Sequence, residues 1–229
     1  MKKLPPLIVL AGGKAKRLRP ITKKIPKSMV LINKKPFIEY QLNQFKKYNF
    51  EKIFILTGYK SIIIENYINQ KKNASNLKIV KDKEISIGTG AAIKNCLKHI
   101  KKNFLVIYGD SYLNINFNKV YKKFLYKKKN LLITCLKNQN RLDKSNLVIH
   151  KNKIVEYDKE SIKAKYIDYG FLCFNKKAFQ GISEKKFDLQ KIIQRQISQN
   201  DISHFITKNR FYEIGNKKSL KEFRNYIKN

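Results

Sequence analysis

Four consecutive apolar residues, Leu7-Ile8-Val9-Leu10, run straight into Ala11-Gly12-Gly13. A run that short has no polar face, so it must be covered on both sides. That is the mark of a buried parallel strand. A strand ending in glycines opens into a loop whose backbone N–H groups can face a ligand closely. The pattern then repeats. Pro36 opens a helix bearing Ile38, Leu42 and Phe45 at i, i+4, i+7. Ile53 to Thr57 is a strand ending at Gly58, and Ser61 is placed to cap a helix with Ile62, Glu65 and Ile68. Leu77 to Val80 is a third strand. Gly88-Thr89-Gly90 turns into a helix with Ile93, Cys96, Leu97 and Ile100 on one face. Phe104 to Tyr108 is a strand ending in Gly109-Asp110, and a helix around Val120 and Phe124 leads to the strand Leu131 to Leu136.

Alternating strands and helices with short connections predict an α/β fold. Its Rossmann-like open sheet is mixed, mostly parallel, with helices on both faces. The second half is less regular. Leu147 to Ile149 and Lys153 to Val155 read as a hairpin around Lys151-Asn152. Ile167 to Phe174 is a strand interrupted by Gly170. Asp188 is placed to cap a helix with Leu189, Ile192, Ile193 and Ile197. Phe211 to Ile214 is a last strand, and Leu220, Phe223 and Ile227 make a closing helix. With no linker or repeat, residues 1–229 read as one domain, divided into a core (1–136) and a C-terminal lobe (137–229).

Charge invites a different reading. The 51 Lys+Arg outnumber the 16 Asp+Glu, for a formal +35. Only six of the basic residues are Arg (17, 19, 141, 195, 210 and 224). Base reading and phosphate clamping lean on the planar Arg fork, whereas these lysines are spread along the whole chain. The excess of Lys travels with an excess of Asn and Ile, which points to compositional drift rather than a specific nucleic-acid partner. Cys96, Cys135 and Cys173 lie far apart in apolar stretches, as buried reduced thiols suited to the cytoplasm. The short apolar stretch from Leu4 is broken by Pro5-Pro6 and followed by basic residues, so it is not read as an export signal, and no apolar run reaches a membrane span.

Strands of such a sheet present ligands at their carboxyl ends, so the loops after Leu10, Val80 and Tyr108 carry the chemistry. The first loop has neither a Walker A lysine nor a G-x-G-x-x-G spacing. The run Leu10-Ala-Gly-Gly-Lys-Ala-Lys-Arg-Leu-Arg-Pro-Ile-Thr, then Pro26-Lys27-Ser28, then Lys35-Pro36, resembles the opening of the sugar-1-phosphate nucleotidyltransferases: G-G-x-G-T-R-L-x-P-L-T, P-K-P, G-K-P. Ile87-Gly-Thr-Gly-Ala-Ala resembles that family's L-G-T-G-G-A, and Tyr108-Gly-Asp its G-D motif. Tyr157-Asp-Lys-Glu, Asp168-Tyr-Gly and Phe211-Tyr-Glu-Ile-Gly follow in family order.

The resemblance implies transfer of a nucleotidyl group from a nucleoside triphosphate to a sugar 1-phosphate, releasing pyrophosphate. The guanylyltransferases of mannose or heptose 1-phosphate are the nearest expectation, in a cytoplasmic role feeding cell-envelope sugar synthesis. It implies Arg17, Lys27 and Asp110 as catalytic residues, and Leu10, Ala11, Gly12, Gly13 and Gly90 around the nucleotide. Glu84, just before the Gly-Thr-Gly turn, is a base reader. Lys159 and Gly170 belong to the sugar side. Mg²⁺ would be held by Asp110 and by Glu213, which stands where the family has Asp. Residues 1–136 would then bind nucleotide and 137–229 the sugar. Homo-oligomerisation is left open. Ala15 and Lys16 replace the family's Gly-Thr, so Ala15 must accept a backbone shape that Gly adopts freely. Lys16 and Glu213 also motivate a rival, a non-catalytic nucleotide-binding relative.

Overall fold

The structure, a computed structural model, describes residues 3–71, 75–82, 84 and 86–228. Two compact units interleave along the chain. Met1–Ser86, Ile107–Tyr112 and Phe211–Asn229 make the first, and Ile87–Val106 and Leu113–Arg210 the second. The chain crosses between units after residues 86, 106, 112 and 210.

The first unit is built on a parallel ladder. Leu7–Leu10 pairs with Ile53–Thr57 in register Leu7↔Ile53 to Leu10↔Leu56. Ile53–Thr57 pairs in turn with Leu77–Lys81. The middle strand is buried along its whole length, as an apolar run without alternation requires. Phe37–Phe45 and Ser61–Asn69 are helices that bury Phe37, Ile38, Leu42, Phe45, Ile64 and Ile68. Ser61 is not the cap. Lys60 takes the N-cap position in the left-handed conformation (φ 53°), and Ser61 becomes the buried first helical residue.

A second apolar cluster in this unit joins distant parts of the sequence. Leu18, Val30, Ile32 and Phe37 pack with Ile214, Leu220 and Phe223. The Phe37 and Phe223 rings meet edge-on at 5.2 Å, an arrangement aromatic quadrupoles favour. The helix Lys217–Lys228 supplies Leu220 and Phe223, and so docks on the segment that follows the glycine loop.

The second unit is mixed. Leu131–Lys137 pairs antiparallel with Tyr166–Asn175 and parallel with Ile202–Thr207. The Ile202–Thr207 strand carries Ser203 and His204, whose polarity hid it from hydropathy patterning. The Leu147–His150/Lys153–Tyr157 hairpin forms as expected. Lys151 (φ 43°) and Asn152 (φ 60°) both adopt positive φ, the backbone shape of the tight turn that matches strand twist. Tyr166–Asn175 slips register between Asp168 and Leu172, and Gly170 sits in the slip at φ 87°. The helices are Thr89–Cys96, Phe117–Lys127 and Leu189–Ser198. The expected α/β class holds, with parallel pairing in the first unit and mixed pairing in the second. Among the described residues no helix is long and apolar enough to cross a membrane.

Candidate active site

Gly109 brings the acid to the glycine loop. Its N–H donates to the Leu10 carbonyl at 3.0 Å, and a Cβ at residue 109 would stand 2.6 Å from that oxygen. Only glycine allows that approach, so the backbone at 109 lies directly against the end of Leu7–Leu10. Asp110 follows at once. The buried Gln41 amide holds the turn from the other side, donating to the carbonyls of Tyr108 (3.0 Å) and Ser111 (2.7 Å). The Ile214 N–H then donates to the Asp110 carbonyl at 3.0 Å, which draws Phe211–Glu213 to the same place.

Lys27 completes the arrangement. It lies in a single helical turn, Lys27–Met29, locked by Met29 N–H to Pro26 O and Val30 N–H to Lys27 O. Its ammonium reaches Asp110 Oδ2 at 2.7 Å, with both side chains mostly buried. A charge-assisted bond of this length fixes the ammonium in place. Glu213 is half-buried beside this pair. Burial, then the neighbouring Asp110, pushes its carboxyl above the usual range, while Lys27 and Arg17 pull it back. Gly215 gives the Glu213 carboxylate its space, since a Cβ there would run into it. Arg17 lies exposed in the turn Lys16–Leu18. Ala15 before it adopts the left-handed conformation (φ 49°, ψ 47°), as its place in a glycine-type loop required, and its carbonyl accepts from the buried Thr22 hydroxyl at 2.7 Å.

Leu10, Ala11, Gly12 and Gly13 form the floor of this loop. Gly12 faces Gly58 backbone to backbone, and its carbonyl accepts from the Tyr59 N–H at 3.2 Å. Nothing lies within 4 Å of a Cβ placed on Gly13, so space there is open beside the loop. Glu84 is exposed. Sequence reasoning passed over Asp82, the first residue after the strand Leu77–Lys81. Its Oδ2 stands 3.6 Å from the Gly12 Cβ position and 3.7 Å from that of Gly58. Burial alone pushes its carboxyl up to about 6. The signal available in the sequence was position, since it follows the carboxyl end of a strand in the same parallel ladder, but no motif marked it.

The first unit therefore gathers Arg17, Lys27, Asp110 and Glu213, with Gly109 against the start of the glycine loop. The remaining expected residues lie in the second unit. Gly88 and Gly90 back onto Phe187, and a Cβ on either would collide with it. The Thr89 N–H donates to Asp188 Oδ1 at 3.2 Å, and the Leu189 N–H donates to Thr89 Oγ1 at 2.9 Å. Asp188 thus stands at the N-cap of its own helix but serves the neighbouring helix start, and the two N-termini satisfy each other. Lys159 is exposed in the turn after Lys153–Tyr157. The Gly170 N–H is held by Asp168 Oδ1 at 2.8 Å, and the other carboxylate oxygen accepts from the Tyr157 hydroxyl at 3.1 Å. The Asp168 N–H donates to Asn146 Oδ1 at 2.8 Å. This buried network fixes the backbone slip at Gly170, and Asn146 had no marking in the sequence.

Residues 7–229 match the nucleotidyl transferase family. A D-glycero-α-D-manno-heptose 1-phosphate guanylyltransferase of Aneurinibacillus thermoaerophilus is 28% identical over 229 residues, spanning 96% of this chain and 99% of its own. Its counterpart in Campylobacter jejuni is also 28% identical, over 91% and 93% of the two chains. Among solved structures, HddC from Yersinia pseudotuberculosis superposes with a TM-score of 0.75 at 27% identity, covering 97% of this chain and 99% of that one. HddC has also been solved in complex with GMP-PN.

Proposed function

Since this chain belongs to the nucleotidyl transferase family and is a sugar-1-phosphate nucleotidyltransferase, we propose that it transfers a guanylyl group from GTP to a manno-configured heptose 1-phosphate. The observation that carries the assignment of roles is the Lys27–Asp110 pair at 2.7 Å beside Glu213 and the Gly12-Gly13 loop. In the reaction a phosphate oxygen of the sugar attacks the α-phosphorus, the new P–O bond forms, and the bond to the β-phosphate breaks to release pyrophosphate. Such a transfer needs alignment and charge neutralisation more than covalent chemistry. Arg17 neutralises the triphosphate from the rim of the loop. Lys27, oriented by Asp110, neutralises the phosphate that is attacked. The backbone N–H groups of Gly12 and Gly13 line the nucleotide, and Lys159 and Gly170 serve the sugar phosphate.

Asp110 and Glu213 are two hard-oxygen carboxylates close enough that Asp110, after burial itself, raises the Glu213 carboxyl. That donor set fits the divalent metal of the family, which we assign as Mg²⁺. When bound, the metal supplies charge stabilisation to the phosphate oxygens. Among the described residues no third His, Cys, Asp or Glu joins the pair, which leaves the remaining ligand positions to substrate oxygens and water.

Guanine is supported by Asp82. Its Watson–Crick edge offers an N1–H and an N2 amine side by side, which the two oxygens of one carboxylate can accept, whereas uracil and thymine offer a single N3–H. The product, a nucleotide-activated heptose, suits glycosyl transfer into a cell-envelope polysaccharide. Pyrophosphate release measured over the four common NTPs and a set of sugar 1-phosphates tests the proposal. The expected outcome is turnover with GTP and the manno-heptose phosphate. Absence of turnover in every pairing, with folded protein and Mg²⁺, overturns it.

A further inference from the structure

A concave cleft of about 200 Å³ in the second unit is ringed by Lys123, Lys127, Lys129 and Lys153, with Ser203 and His204 among its lining. Local structure explains the convergence. Lys123 and Lys127 lie four apart on the helix Phe117–Lys127 and so share a face. Lys128 then adopts the left-handed conformation (φ 52°), which ends the helix and turns the chain into Lys129. The Lys129 ammonium is tied to the Asn200 carbonyl at 2.6 Å. The tight turn at Lys151-Asn152 starts the strand at Lys153.

His204 separates this cleft from an ordinary patch of surface lysines. It is 7% exposed, it lines the cleft, and among the described residues its imidazole has no hydrogen-bond partner. The surroundings are uniformly positive. Burial and the adjacent Lys127 push the Lys123 ammonium down, and burial, Lys123 and Lys127 push the His204 imidazole down. The acid next in sequence, Asp201, faces away into Asn130, accepting from its backbone N–H at 2.9 Å and from its side-chain amide. No carboxylate is among the residues lining the cleft.

We propose that this cleft binds a phosphoryl dianion, with the four lysines supplying the charge and His204 the directed hydrogen bond. It shares no residue with the site around Lys27 and Asp110. The volume suits one or two phosphoryl groups, so the ligand is free phosphate or a small phosphomonoester rather than a nucleic-acid backbone.

The chain has three histidines, so each imidazole is resolvable by NMR. The full chain is titrated with orthophosphate, with glycerol 3-phosphate, with NaCl at matched ionic strength, and with a short single-stranded DNA. Orthophosphate or the monoester is expected to move His204 saturably and to raise its titration midpoint by about one pH unit, as an adjacent opposite charge does, leaving His99 and His150 unmoved. The better of the two probes identifies the source. The Lys123→Gln/Lys127→Gln variant should raise the half-saturating concentration at least ~10-fold, as expected when two charge-assisted contacts are lost. If its His99 and His150 resonances show misfolding, Lys153→Gln takes its place. The proposal is overturned by an equal shift in NaCl, by a response to DNA without one to phosphate, or by wild-type binding in a folded variant.

Discussion

Lys27 and Asp110 hold each other at 2.7 Å, and in the proposed reaction that pairing would align the ammonium as well as supply charge. Asp110→Asn should lower kcat on the order of 10²–10³-fold, the usual effect of removing one electrostatic element from a transfer site. A near wild-type rate in steady-state kinetics would reject the role. Asp82 makes a prediction of opposite sign for stability. Its carboxyl is raised from 3.8 to about 6 by burial, so the folded state holds the proton more tightly than the unfolded one. Its contribution to stability is fully present below pH 4 and is lost as pH rises through 6. At pH 7, Asp82→Asn should therefore unfold at higher urea, by on the order of 1 kcal/mol once solvent screening is allowed for. It should also weaken GTP binding more than UTP binding. An unchanged urea midpoint would contradict the burial argument, and an unchanged GTP/UTP ratio the base reading. At this scale Asp110, Lys27 and the shape of Ala15 were legible in the sequence, because each sits in a motif. Asp82 was not, because its nearness to Gly12 exists only once three parallel strands are laid in order, with Ile53–Thr57 in the middle.

Among the elements, the strand Leu7–Leu10 and its glycine loop were readable from one apolar run, as were the helices with regular apolar spacing. Three features were not. The strand Ile202–Thr207 alternates poorly because Ser203 and His204 interrupt it. Ser61 looked like a cap, but the left-handed Lys60 ends the preceding turn one residue earlier. Asp188 and Thr89 exchange capping partners across two helices, a pairing no local pattern reveals. Gly109→Ala tests the element junction itself. A methyl group 2.6 Å from the Leu10 carbonyl must push the backbone away, costing about 1–3 kcal/mol in chemical denaturation and most of the turnover, since Asp110 moves with it. Retention of both would refute the close-approach argument. Phe223→Ala acts on the helix Lys217–Lys228. The side chain is fully buried against Phe37, so its loss should cost about 3–5 kcal/mol. A loss below 1 kcal/mol would mean that the helix is not anchored there.

For the whole molecule, the formal +35 bears on stability. Like charges at this density repel within the folded shape, and salt screens them over about 10 Å at 0.1 M. Raising NaCl from about 20 to 200 mM, the range over which the screening length contracts, should raise the thermal midpoint by scanning calorimetry. A flat or falling midpoint would show that the lysines are already compensated. Composition told of this surface at once. It could not tell that the four lysines around His204 differ from the rest, because that difference lies in a buried imidazole and an averted Asp201.

Glu213 joins Asp110 only after the chain has spent Leu113–Arg210 in the second unit. During synthesis, that excursion lasts roughly 5–20 s at ordinary elongation speed. Through that interval the nascent chain carries its glycine loop, Lys27 and Asp110, yet lacks the second carboxylate and the helix that covers Phe37. A ribosome that stalls between residues 111 and 212 leaves a chain that has Asp110 but not Glu213, and that lacks the Phe223 packed against Phe37. The carboxylate pair proposed to hold the metal is thereby tied to completed translation of the inserted stretch.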